Sequence, residues 1–315
     1  MSKIFSIFRT NNKNKIFNQF FNNNFLTPEN IESYNKISFR QSYPYPNLED
    51  KNSKYQKYII LGTDRTGSSY LVELLKSHHS VISFSELFMY SRSFFNYLGY
   101  PHPSDKALLE YRNNNPIEFL EKMVFKKYKT YIKAVGFKFF YYHAQDKELQ
   151  KVWKYLRELD DLRVIHIKRK NLFHALVSSK VAKEKGPSKY PDWVVSEIKR
   201  LNLGSFPEKP LNENKIILNI DYDECLNYFE KTKKEIEYYD NFFDKQNKLE
   251  VYYEDILENV EKECKIILSF LNINLSSLKT YAEKQVVEPM KELIGNYYEL
   301  KKSFEGTEWY KFFDE

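Results

Sequence analysis

The eight residues "GTDRTGSS", Gly62 to Ser69, gather two glycines, a guanidinium and several hydroxyls into one short stretch. The apolar run "KYIILG" precedes them, and Leu71, Leu74 and Leu75 follow at helical spacing. A strand, a glycine turn and a helix beginning near Gly67 would direct backbone N–H groups and the positive end of a helix dipole at one spot. That geometry binds phosphate or sulfate oxygens whatever the side chains are. Arg65, Thr66, Ser68 and Ser69 add a guanidinium fork and three hydroxyl donors to it, and charge-assisted hydrogen bonds of this kind contribute about 1.5–3 kcal/mol each.

Two familiar phosphate loops fit poorly. A nucleoside-triphosphate loop has the form GxxxxGK[ST], with its lysine on the terminal phosphates, whereas Ser68 follows the second glycine here. A dinucleotide turn has the form GxGxxG, whereas position 64 is Asp. Its acidic ribose partner would fall about 20 residues on, where Glu86 does stand, but the missing glycine remains missing.

Further along, "LRVIHIKRKN" ends an apolar run on Lys168, Arg169 and Lys170 and leads into a helical stripe from Asn171. Ligands of open α/β sheets bind outside the carboxyl ends of the strands, so this cluster is a candidate second anion site, beside the alternative of a solvated strand end. Among the six histidines, His78, His79, His166 and His174 read as structural, and His143 in "FYYHA" is the one to test as a proton acceptor. Lys138, on the same stretch, is placed to lean on a transferring group or an acceptor.

Taken together, "GTDRTGSSYLVELL", "SELF" (85–88), "GFKFFYYHA" (136–144), "VIHIKRKNLFHALVSSKVA" (164–182), "LEVYYEDILENVEKECKIILSFLNI" (249–273) and "EKQVVEPMKELIGNYYELK" (283–301) resemble, in order, blocks of the sulfotransferases that use 3′-phosphoadenosine 5′-phosphosulfate. They closely resemble those of the bacterial trehalose-sulfotransferase type. The resemblance covers about residues 57–315. It implies a three-layer α/β fold of P-loop-like type, with a central, mostly parallel sheet flanked by helices. It also implies in-line transfer of a sulfuryl group to an acceptor hydroxyl, of a carbohydrate or glycoconjugate, leaving adenosine 3′,5′-bisphosphate and requiring no metal. By the same resemblance, Arg65, Thr66, Gly67, Ser68 and Ser69 form the 5′-phosphosulfate loop, and Arg65, where relatives often have lysine, follows charge onto the bridging oxygen. Arg169 and Ser178, with Ser179 as a substitute, match the residues that hold the 3′-phosphate. Glu86 matches the general base, a role that typically contributes about 10²- to 10⁴-fold. A magnesium-dependent nucleotide kinase or other phosphotransferase, and a binding protein without turnover, are the alternatives.

The elements that must position these residues follow from short apolar runs alternating with amphipathic segments, the pattern of βαβ units and a parallel sheet. Strands are expected in "KYIILG", "SVISFSE", "YIKAVGFKFFYY", "LRVIHIKRK", "KIILNID" and "LEVYYED", with helices near "PIEFLEKMVFKKY", from Asn171, and around 224–244 and 256–271. Residues 1–56, polar and Asn-rich, read as an N-terminal extension to a single domain over 57–315. Residues 186–210, with four prolines and two glycines, read as a surface insertion. The last forty residues, charged and aromatic, read as partly helical.

Composition narrows the classes. The chain's 315 residues can bury one large core. Two cysteines, Cys225 and Cys264, are too few for a disulfide framework and read as apolar filler. No apolar run spans a bilayer, and the start lacks a signal-peptide core, so a cytoplasmic protein is expected, with a short membrane- or partner-touching helix at Ile4–Phe8 as the alternative. The net charge of +6 suits an anionic ligand, but the basic residues are scattered, and no nucleic-acid partner is expected. A homo-oligomer is compatible with all of this.

Overall fold

The computed structural model describes residues 51–52, 54–89, 106–185, 216–280 and 288–314. The N-terminal extension up to residue 50, the 186–210 insertion and the "EKQVV" part of the last block lie outside them.

Five strands form one fully parallel sheet: β2 (Gln56–Gly62), β3 (Val81–Glu86), β5 (Ala134–Phe140), β6 (Leu162–Lys168) and β7 (Asn247–Tyr252), in the order β3-β5-β2-β6-β7. Two short strands, β1 (Lys51–Asn52) and β4 (Tyr128–Lys129), pair antiparallel beside it. The three inner strands are buried almost throughout, as parallel strands covered on both faces must be.

Both faces are indeed covered, which makes the fold a three-layer α/β structure. Ile59, Leu61, Val135, Phe137, Phe139 and Val164 face one way. They pack under the Pro116–Phe119 helix with its π-turn Leu120–Val124, under Lys151–Arg157, and under the end of the long helix Tyr222–Phe242. Tyr58, Ile60, Ile165, Ile167 and Val251 face the other way, against α1 (Ser68–Lys76) and the helix Val260–Phe270. On α1 the expected face is the buried one, with Leu71, Leu74 and Leu75 among its buried residues. Alternate residues on each strand supply the two faces, so the period-2 pattern and the sheet order fit each other. A third cluster joins the helix Leu172–Glu184, which we label α5, to the start of the long helix, which we label α6, and to Tyr297, Phe304, Trp309, Phe312 and Phe313 near the C-terminus. Cys225 and Cys264 are buried and unbridged, and burial pushes their thiols up, to about 12 and about 11.

One expected strand does not form. "KIILNID" carries the alternation Ile216, Leu218, Ile220, yet its described residues make only an isolated bridge from Leu218 to Ile294. Leu218 N–H donates to the Leu293 carbonyl at 2.7 Å, and Gly295 N–H donates to the Leu218 carbonyl at 2.8 Å. The alternating side chains therefore bury against the third cluster and not on the sheet. The helix expected at 256–271 is two, Tyr253–Glu258 and Val260–Phe270, broken at Asn259, whose side chain caps the second by accepting from Lys262 N–H. Among the described residues, no helix is long and apolar enough to cross a membrane.

Because every strand of the sheet runs the same way, the residues at or just beyond their carboxyl ends, Gly62, Glu86, Phe140, Lys168 and Tyr252, lie along one edge. That edge is where an open α/β sheet leaves a crevice.

Candidate functional site

The glycine loop leaves β2 at Gly62, where an added Cβ would sit 2.7 Å from the Ile167 carbonyl oxygen. It then turns through two left-handed residues, Arg65 (φ 59°) and Gly67 (φ 77°). Gly67 caps α1 without any side-chain acceptor, so the first N–H groups of that helix are left for a ligand or solvent. A side chain at Gly67 has no room, since its Cβ would stand 2.0 Å from the Tyr253 ring. Thr66 Oγ1 donates to the Thr63 carbonyl at 2.8 Å and ties the loop to itself.

The two candidate phosphate-binding halves meet here. Arg65 donates through Nε and Nη2 to Ser178 Oγ on α5, at 3.0 and 2.9 Å. Of the two serines weighed from the sequence, Ser178 makes this contact. Arg169 donates to the Arg65 carbonyl at 2.8 Å and pairs with Glu254 at 3.2 Å. Its guanidinium lies 4.7 Å from the centroid of the Tyr253 ring, and the two attract as cation and π face. α5 itself starts where Asn171 accepts from His174 N–H. Arg65, Ser178 and Arg169, far apart in sequence, thus form one cluster around the loop.

The other two cations of "KRK" are used elsewhere. Lys168 is buried and pairs with Asp240 at 2.8 Å and Glu250 at 2.9 Å. Lys170 pairs with Asp255 at the surface. Asp240 also accepts from His166 Nδ1 and pairs with Lys248, both at 2.9 Å. Burial alone would raise the Asp240 carboxyl, but these three donors override it and hold the group well below the usual carboxylate range. Burial conversely lowers the His166 ring and keeps it neutral, with Tyr141 on its other nitrogen. His166 is therefore structural, as expected from the sequence, and Lys168 belongs to that network and not to the loop.

Glu86 occupies the end of β3, across from Lys138 of β5. The ladder slips between Phe84 and Glu86, so that Glu86 takes the place opposite Lys138 that strict alternation would give to Ser85. Such bulges re-aim side chains. Glu86 Oε1 accepts from Lys138 Nζ at 2.8 Å, and Lys138 Nζ also donates to Ser69 Oγ at 3.0 Å. The candidate base and the candidate anion loop are therefore joined through one buried ammonium. Arg112, fully buried, donates to the Leu87 and Met89 carbonyls at 2.7 and 2.9 Å and fixes the chain just after Glu86. Burial lowers its guanidinium to about 10, which leaves it cationic at neutral pH.

His143 is not placed to act as a base. Its Nδ1 accepts from Phe140 N–H at 3.1 Å, so the neutral ring carries its proton on Nε2, which faces Glu86 Oε2 at 3.9 Å. Burial lowers its pKa to about 3, although the Glu86 charge opposes the shift. Next to it, Tyr142 is 49% exposed and feels the charges of Glu86 and Asp64. Tyr142 also lines a cleft of about 680 Å³, walled by Tyr141, Gln145, Glu235, Tyr238 and Tyr239 among others. Tyr142 thus belongs both to that cleft and to the turn that carries His143.

Arg112, Tyr253, Glu254 and Asp240 were not singled out from the sequence. Tyr253 and Glu254 follow a strand that ends on the crevice edge, and that position is a usable signal. Arg112 and Asp240 sit within ordinary charged helical stretches, and nothing local distinguishes them.

No protein-family model matches the chain, and no curated protein matches it. Among solved structures, a sulfotransferase from Alicyclobacillus acidocaldarius aligns over 78% of this chain and 90% of its own, at 12% identity and a TM-score of 0.40. A sulfotransferase domain from the curacin biosynthetic pathway aligns over 76% and 82%, at 14% identity and a TM-score of 0.38.

Proposed function

We propose that the chain is a sulfotransferase that moves a sulfuryl group from 3′-phosphoadenosine 5′-phosphosulfate to an acceptor hydroxyl. The observation that carries this reading is the joining of two sites at one sheet edge. The Arg65–Ser178–Arg169 cluster lies around a glycine loop, and the loop's Ser69 is linked through Lys138 to Glu86. A donor with two separated anionic groups needs two places to hold them, and transfer to a hydroxyl needs a base nearby.

In this reading Ser68, Ser69 and the first N–H groups of α1 hold the 5′-phosphosulfate, while Arg169 and Ser178 hold the 3′-phosphate. The acceptor oxygen bonds to sulfur as the bond from sulfur to the 5′-phosphate oxygen breaks. The electron pair leaves on that phosphate oxygen, where Arg65 offsets the growing charge. The acceptor's proton passes to Glu86, which later gives it to solvent. No metal enters the scheme. The exposed tyrosines of the cleft, Tyr142 and Tyr238, offer ring faces and hydroxyls to a carbohydrate acceptor, as the trehalose-sulfotransferase resemblance implies, and a cytoplasmic location is part of the same proposal.

Titration with adenosine 3′,5′-bisphosphate tests the donor site. Saturable binding is expected, together with its loss in Arg169→Ala. Absence of binding by the wild-type protein refutes the reading, and stabilisation by ATP with magnesium but not by the bisphosphate favours a phosphotransferase. With sulfur-labelled donor and a panel of glycans, Glu86→Gln is expected to keep bisphosphate binding and to lose about 10²- to 10⁴-fold in transfer.

A further inference from the structure

Lys138 is 2% exposed, yet it bridges two groups with different tasks, Ser69 Oγ in the first turn of α1 and Glu86 Oε1 at the end of β3. A buried ion pair is weak evidence for a stabilising role, because desolvation offsets much of the attraction. The bulge in β3 nevertheless brings the carboxylate to this ammonium. On the carboxylate's other side stands His143 Nε2, buried, without a hydrogen-bond partner, and 3.9 Å from Glu86 Oε2. Since His143 Nδ1 accepts from Phe140 N–H, that Nε2 is a donor facing the Glu86 carboxylate.

We propose that Lys138 is a donor-operated release for Glu86. This rests on the sulfotransferase reading and adds a regulation of the same site. With the loop empty, Lys138 holds Glu86 as a paired carboxylate, a poor proton acceptor. An anionic sulfonate seated beside Ser69 competes for the same ammonium and draws it from Oε1. Glu86 then leans on the neutral His143 N–H. A largely enclosed carboxylate drawn away from this cation holds a proton more tightly, so Glu86 becomes the stronger proton acceptor once the donor is in place. Among the described residues, Lys138 on β5 and His143 on the turn after it lie against Glu86, whose charge also reaches Tyr142; Ser69 contacts Lys138 from the loop side, and Arg112 holds the chain that follows Glu86. Of these, Lys138 alone contacts both the loop and the carboxylate.

Donor binding and proton uptake are then linked. Calorimetric titration at mildly acidic pH, in two buffers of different ionisation enthalpy, counts protons taken up per ligand bound. With 3′-phosphoadenosine 5′-phosphosulfate, the wild-type protein is expected to take up a substantial fraction of a proton more than Glu86→Gln, and Lys138→Met is expected to match Glu86→Gln. With adenosine 3′,5′-bisphosphate, which lacks the sulfonate, wild type and Glu86→Gln are expected to agree. Equal uptake by wild type and Glu86→Gln on binding the sulfated donor overturns the proposal and leaves the sulfotransferase reading standing. Failure of the wild type to bind either nucleotide refutes that reading itself. If Lys138→Met does not fold, the wild-type and Glu86→Gln pair decides the question.

Discussion

Replacing Gly67 with alanine tests how the loop is held. The substitution meets two independent obstacles. The residue sits at φ 77°, where a Cβ costs about 1–2 kcal/mol. The new carbon would also stand 2.0 Å from Tyr253 Cδ2 and 2.6 Å from Cε2, so the ring must move, and overpacking of this kind costs about 1–3 kcal/mol. Gly67→Ala is therefore expected to destabilise the fold by about 2–5 kcal/mol. In a Tyr253→Ala background the second obstacle is gone, and the same substitution is expected to cost only about 1–2 kcal/mol. Urea melts of the four proteins supply the cycle, with midpoints compared at unchanged slope. Because Tyr253 also lies under the Arg169 guanidinium, at 4.7 Å, Gly67→Ala is further expected to weaken binding of adenosine 3′,5′-bisphosphate. An equal penalty with and without the Tyr253 ring refutes the reasoning, since it would mean that the backbone conformation alone sets the requirement for glycine.

Three further outcomes follow from the site. Ser178→Ala is expected to weaken bisphosphate binding by roughly tenfold or more, the equivalent of about 1.5–3 kcal/mol for a hydrogen bond to a charged group, while Ser179→Ala leaves it unchanged; equilibrium titration separates the two. Asp240→Asn removes the charge shared by Lys168, Lys248 and buried His166, leaving Lys168 with Glu250 and His166 with Tyr141, and is expected to cost about 1–3 kcal/mol in urea melts without loss of bisphosphate affinity at low temperature, since Lys168 is outside the loop cluster. The depressed pKa of His143, about 3 against 6.5 when unfolded, means that below pH 6.5 the unfolded chain binds a proton that the native chain refuses. Stability should therefore be full above that pH and fall as pH drops toward 3, by about 1.4 kcal/mol per pH unit for each such histidine. His166 acts in the same direction, so His143→Gln should reduce this slope by one proton without abolishing it, as read from urea midpoints between pH 7 and 4.5.

What was legible in the sequence was what local chemistry dictates. Gly62 and Gly67 encode the loop because the chain passes within van der Waals contact of Ile167 and Tyr253 at those positions. Asn171 marks the start of a helix because its side chain caps it. The paired faces of β2 and β6 read correctly because buried parallel strands need continuous apolar runs. The parts that were not legible depend on partners distant in sequence. Lys168 looks like a ligand for an anion until Asp240 on α6 claims it. "KIILNID" has the composition of a strand, but Leu293 and Gly295 supply its hydrogen bonds away from the sheet. The bulge after Phe84 leaves no mark in "VISFSE", although it decides which side chain faces Lys138.

The strand order also bears on how the chain is made. β2 is the middle strand, and Gln56 pairs with Ala134 on one side while Lys57 pairs with Leu162 on the other. Neither neighbour has been synthesised when β2 emerges, and closing such long segments costs entropy before the contacts can offset it. Until Leu162–Lys168 is available, one edge of Tyr58–Leu61, residues wholly buried in the finished fold, stays unpaired. An open apolar edge recruits other strands. Nascent or truncated chains that end between Phe140 and Leu162 are therefore the species that would depend most on a chaperone, and adding the next strand removes that exposure.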